Sequence, residues 1–145
     1  MADATDHPAF DVQVVTHDGP VFQGEAHMLI VPGAAGEIGV LARHAPLVAT
    51  LKAGSTRVHL GGNEILEFAT GPGFFKVELD RALALVDDAV NVREIDDSRA
   101  QAQLDAARAE LERVEAGEST ADRWQLEQRI RHAENQLAVS GRTTG

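Results

Sequence analysis

A change of texture near Val92 constrains this 145-residue chain more than any other feature of its sequence. From Phe10 to about Val92, short runs rich in Val, Ile, Leu and Phe are broken at near-regular intervals by turn residues, the spacing of an all-β sandwich or barrel. Beyond Val92, glycine and β-branched residues nearly vanish, and Ala, Glu, Gln, Arg and Leu dominate as far as Val139, which is helix composition. The reading is a two-domain β + α chain. An N-terminal antiparallel β-sandwich over 1–92 precedes a C-terminal antiparallel two-helix hairpin over 93–145, with 1–8 expected to be flexible and 140–145 to be a frayed tail.

Turns are expected at His17–Pro20, Pro32–Gly36, Ala53–Ser55, Gly61–Asn63, Gly71–Gly73 and Asp80–Arg81, where glycine, proline or residues that bond their own backbone cluster. Between them Phe10/Val12/Val14, Val58/Leu60, Leu66/Phe68 and Leu83/Leu85 alternate with polar or small neighbours and are predicted to face inward. Phe74 and Phe75 read as a buried aromatic pair following the Gly71 turn.

In the C-terminal part, Asp96, Asp97 or Ser98 can cap a first helix. Its stripe is Ala100, Leu104, Ala107, Leu111 and Val114, and Gly117 ends it. Ser119 or Thr120 restarts the chain with Asp122 in the first turn, and Leu126, Ile130, Ala133 and Leu137 form a second stripe. A connection this short makes the helices antiparallel neighbours. Their alanine-rich seam buries few methylene groups at about 0.8 kcal/mol each, so the hairpin is expected to be marginally stable alone and suited to leave its resting place for a partner with more apolar surface.

Several function classes are excluded or disfavoured. The sequence has no cysteine, which removes disulfides, thiolate catalysis and Cys-based zinc sites. A formal charge of −10 with only two lysines, Lys52 and Lys76, argues against nucleic acid and anionic lipid as partners. No window approaches the roughly 18 apolar residues of a membrane span, and the acidic, polar N-terminus is unlike a signal or transit peptide, so membrane association is expected only through another protein.

His27, His44 and His59 lie in the β region, but no His-x-His or His-x-x-x-His pair is present, so a metal-dependent jelly-roll enzyme is the weaker reading and no metal site is assigned. No Gly-x-Ser-x-Gly elbow and no Gly-Lys-Ser/Thr phosphate loop exist, and the glycines read as turn glycines. No catalytic residue and no obligatory cofactor are expected.

The segment from Gly36 to Pro46, Gly-Glu-Ile-Gly-Val-Leu-Ala-Arg-His-Ala-Pro, resembles the GE(I/L)GVLPGHAPL segment of the epsilon subunit of the rotary F-type ATP synthase. Phe10–Val15 is similar to that family's opening strand, Val21–Gly24 to the xxFxG step after its first turn, and Gly71–Val77 to its SGGFxEV stretch. Ile95–Ala100 resembles the I/L-D-x-x-R-A motif that opens the helical hairpin. The matches keep their order from Phe10 to about Ala138. Two departures stand in turns: Ala42 and Arg43 replace the family's Pro-Gly, and Pro72 replaces the second of two adjacent glycines.

The resemblance implies a non-catalytic central-stalk subunit that couples gamma and the membrane rotor ring of c subunits to the catalytic head. It also implies inhibition of ATP hydrolysis through the C-terminal helices. Its expected partners are gamma, the rotor ring, and the catalytic beta and alpha subunits, at the cytoplasmic face of a bacterial inner membrane. By the same resemblance, Glu37, Ile38, Gly39 and His44 match the strip that faces the rotor ring. Ile95, Asp96, Arg99 and Ala100 match half of a nucleotide site, which leaves an ATP-sensing module as the alternative and ATP as a possible regulatory ligand. His132 and Gln136 stand where nucleotide-binding members carry arginines. Arg99, Arg108, Arg113, Arg123, Arg129 and Arg131 are the candidates for contact with an acidic segment of the catalytic head, or else the solvated face of the hairpin.

Overall fold

The computed structural model describes residues 7–144, with side chains through Gly141. The expected flexibility of 1–8 falls largely outside that range. The chain divides into two compact units, Met1–Asn91 and Val92–Gly145.

Among the described residues, ten strands make the first unit: β1 (Phe10–Thr16), β2 (Gly19–Ala26), β3 (Met28–Gly33), β4 (Gly36–Val40), β5 (His44–Leu51), β6 (Gly54–Gly61), β7 (Glu64–Thr70), β8 (Gly73–Leu79), β9 (Arg81–Val86) and β10 (Ala89–Asn91). One layer runs β10-β7-β6-β3 with β4 on the free edge of β3, and the other runs β5-β8-β9-β1-β2. A single pair, Gly33 with Leu51, joins them, so β3 hands one layer over to the other. Every pairing is antiparallel save β1 with β9, which run parallel. Alternation of apolar residues looks the same in both directions, so the sequence carries no sign of that exception.

The layers close on one core in which Val12, Val14, Leu29, Val31, Val40, Val58, Phe75 and Val77 are buried. Inside it the hydroxyls of Thr56 and Thr70 bond each other at 2.9 Å, which satisfies two polar groups that burial would otherwise penalise. Pro46, which lacks an N–H, sits in the irregularity between His44 and Leu47 where β5 leaves its ladder with β8.

Two inward assignments are corrected. Phe75 is fully buried but Phe74 is 61% exposed, because successive strand residues point to opposite faces and one core cannot take both. In β9 the inward residues are Ala82, Ala84 and Val86, and Leu85 is exposed. Parallel pairing sets Ala82 beside Val12 and Ala84 beside Val14, and antiparallel pairing sets Ala84 beside Phe75, so the small side chains occupy the crowded layer.

In the second unit a short 3-10 turn (Val92–Glu94) leads into α1 (Asp97–Glu115), which a turn connects to α2 (Arg123–Thr144). Asp96 caps α1, accepting the Arg99 N–H at 3.1 Å. Gly117, at φ 77°, follows the C-cap Ala116; its N–H reaches the Val114 carbonyl at 3.1 Å while the Glu118 N–H reaches that of Arg113 at 2.8 Å, the paired bonds of a Schellman end. Asp122, rather than Ser119 or Thr120, caps α2 by accepting the N–H groups of Trp124 and Gln125. The Ser119 hydroxyl is committed instead to Glu110 and to the Ala121 N–H. Ala100, Leu104, Ala107, Leu126 and Ala133 are buried as the stripes require. Helix α2 runs on to Thr144, with Val139 and Ser140 buried; the end of the expected frayed tail, Gly145, lies outside the described residues.

Candidate functional site

The β3–β4 hairpin carries most of the strip expected to face a rotor ring. Glu37 and Gly39 occupy one face of β4, whose only partner strand among the described residues is β3. Ile38 points the other way and packs against the core, half-buried, with its Cδ1 and Cγ1 lying over Gly33. A Cβ on Gly39 would meet nothing within 4 Å, so internal packing does not require glycine there; a bare strand position of this kind suits close approach by another chain. His44 lies beyond the next turn, opposite Leu79 on β8, and its Nδ1 is 2.7 Å from the Ala45 carbonyl. Glu37 and Gly39 therefore share a face of β4 from which Ile38 points away, and His44 lies on β5.

Glu37 is not a free carboxylate. Its Oε2 accepts from Nη2 of Arg57 at 2.5 Å, reaching from β4 over β3 to β6. Arg57 escaped the sequence reading. The available signal was an arginine between Thr56 and Val58 in a strand whose other neighbours are buried. Burial, and secondarily the positive charge of Arg57, hold the His59 imidazole below its usual pKa.

A second feature emerges on the outer face of the β5-β8-β9 layer. Val48 is 73% exposed and Leu85 46%, and with Phe74 they form an apolar stripe across three adjacent strands: Phe74 pairs with both Thr50 and Leu85, and Val48 sits two pairs further on, opposite Lys76 and on the same face. Placing Phe74 and Leu85 in the core hid this stripe from the sequence reading.

On the hairpin, Asp96 serves as a helix cap, Ala100 is buried in the seam, Ile95 is half-buried and Arg99 is exposed. An open cleft beside the start of α1 is lined by Asp97, Ser98, Gln101, Ala102, Asp105, Leu137 and Gly141. Its ionisable groups are carboxylates, which repel a polyphosphate. Of the candidate arginines, Arg108 pairs with Glu134, Arg113 with Glu110, and Arg123 with Glu115 and Glu127. Among the described residues Arg99, Arg129 and Arg131 form no ion pair, and all three are exposed. Trp124 is 65% exposed at the start of α2. No group of three or more His, Asp or Glu among the described residues has metal-binding geometry.

The family model described as ATP synthase, Delta/Epsilon chain, beta-sandwich domain matches residues 9–92. The ATP synthase epsilon chain of Halalkalibacterium halodurans is 36% identical over 93% of this chain and 99% of its own length. The chain belongs to the ATP synthase epsilon chain family. The epsilon chain of Laribacter hongkongensis is 39% identical over 76% of this chain and 79% of its own. A chain in the cryo-EM structure of the Euglena gracilis mitochondrial ATP synthase, titled OSCP/F1/c-ring in rotational state 1, superposes with a TM-score of 0.70 at 25% identity, covering 91% of this chain and 82% of that one.

Backbone strain marks Arg43, at a position where the resemblance of the Gly36–Pro46 segment implies glycine. Its φ is 63°, in the left-handed region, and its N–H donates to Asp80 Oδ1 at 3.2 Å. Left-handed backbone costs a non-glycine residue about 1–2 kcal/mol, while glycine costs about 0.5–1 kcal/mol in chain entropy. Arg43→Gly is therefore expected to raise stability by up to about 1 kcal/mol in urea unfolding, with the Asp80 bond kept. A loss of stability would show that the arginine side chain contributes more than its backbone strain.

Proposed function

We propose that this chain is the central-stalk rotor subunit of a proton-translocating ATP synthase. In this reading the sandwich docks on the gamma subunit through Val48, Phe74 and Leu85, and meets the loops of the rotor ring through the Glu37 face of β4. The outer apolar stripe carries the proposal. A phenylalanine 61% exposed between exposed valine and leucine is a surface that a chain in water covers with a partner. The chain contributes no chemistry of its own and transmits rotation between ring and head. Bacterial relatives support a place at the cytoplasmic face of the inner membrane, held there through the complex. No helix of the described residues is long and apolar enough to cross a membrane.

The hairpin supplies the brake. Among the described residues Arg99, Arg129 and Arg131 carry no ion pair, which supports their availability to acidic groups of the catalytic head, and the alanine-rich seam holds the two helices weakly enough to rearrange. Deleting residues 97–145 is expected to raise ATP hydrolysis by the reassembled complex about twofold or more, a barrier change of roughly 0.4 kcal/mol, with gamma and ring still bound. An unchanged rate in an intact complex would remove the inhibitory role and leave the rotor role standing.

A further inference from the structure

We propose that Arg57 is a positioning residue for Glu37, fixing the carboxylate that the sandwich presents to the rotor ring; the inference rests on the ring-facing reading of β4 given above. The guanidinium sits where its stem puts it. Arg57 lies on β6 between Ile30 of β3 and Glu67 of β7, and its Nε is buried without a hydrogen-bond partner. Glu67, its cross-strand neighbour, forms no ion pair with it among the described residues and instead accepts the Ser55 hydroxyl on Oε2 at 2.5 Å. A guanidinium with an unsatisfied buried Nε is located by packing rather than by its hydrogen bonds, and the acceptor comes to it.

Glu37 is that acceptor, with its side chain 59% exposed and Arg57's 35% exposed. Without Arg57, a glutamate on an edge strand beside Gly36 and Gly39 would sample several rotamers and would have to be ordered on docking. With Arg57, one oxygen is held while Oε1 accepts no hydrogen bond among the described residues, so it is already aimed for a donor on an approaching loop. Ordering a side chain before association removes that cost from binding. The pair also stays together in the complex, since pulling Glu37 away would leave a partly buried guanidinium with no acceptor.

The test titrates the full chain onto detergent-solubilised rotor ring with its gamma subunit, measuring affinity and melting temperature for wild type, Glu37→Gln, Arg57→Gln, Arg57→Lys and the Glu37→Gln/Arg57→Gln double variant. Glu37→Gln and Arg57→Gln are each expected to weaken binding about tenfold, the double variant no further than Glu37→Gln alone, and Arg57→Lys by an intermediate amount because it keeps the cation without the fork. If Glu37→Gln binds as wild type, the ring-facing reading falls and the inference falls with it. If Glu37→Gln weakens binding but Arg57→Gln does not, or the two losses add in full, Arg57 is a fold-stabilising residue only and the inference alone is overturned. Arg57→Lys gives the same decision should Arg57→Gln not fold.

Discussion

Gly73→Ala is expected to lower the stability of the sandwich by about 3 kcal/mol, at the upper end of what overpacking costs. A Cβ at Gly73 would lie 1.9 Å from the Leu85 carbonyl oxygen and 2.8 Å from both the Leu85 carbonyl carbon and the Val86 Cα. Those atoms are backbone, so no rotamer change relieves the clash. Gly73 is also paired on both sides, with Leu51 of β5 and Val86 of β9, which prevents the strand from moving away from one neighbour without colliding with the other. Gly39→Ala is the matched control, since a Cβ there meets nothing. Urea unfolding of the two variants measures the difference; equal stabilities would show that β8 and β9 are not in such close contact at this point.

The second large effect concerns assembly and not folding. Phe74→Glu changes a residue that is already 61% exposed, so unfolding should shift by no more than about 0.5 kcal/mol. Capture of the gamma subunit should nevertheless fall about 30-fold, the roughly 2 kcal/mol expected when a central aromatic anchor is replaced by a charge that docking must desolvate. Val48 and Leu85 flank Phe74 and should show smaller losses when truncated. If Phe74→Glu binds gamma as wild type does while remaining folded, the Val48–Phe74–Leu85 stripe is not the docking face.

The structure also shows what the sequence could reveal and why it stopped. Turn residues and the compositional break at Val92 were legible because each acts locally: Gly117 at φ 77° ends α1 and Asp96 caps it through backbone geometry that neighbours alone determine. The 20-residue separation between Glu37 and Arg57 hid their ion pair, since only the β6-β3-β4 arrangement brings them together. In β9, Ala82-Leu83-Ala84-Leu85 is apolar on both faces, so alternation gave no direction. Size pointed to the leucines, whereas the crowding of Val12, Val14 and Phe75 reserved the inside for the alanines. The same misplacement concealed the candidate gamma face, because an exposed Leu85 and Phe74 read as core. Glu37 and Gly39 are candidates through resemblance alone; their shared face and the tether to Arg57 required coordinates.

Affinity capture with the tagged 145-residue chain from solubilised membranes tests the rotor role most directly. Gamma and the c-subunit ring are expected to be recovered together with the wild-type chain, and recovery of gamma to fall sharply with Phe74→Glu. A wild-type chain that is folded by circular dichroism yet recovered without gamma and without the ring would contradict it.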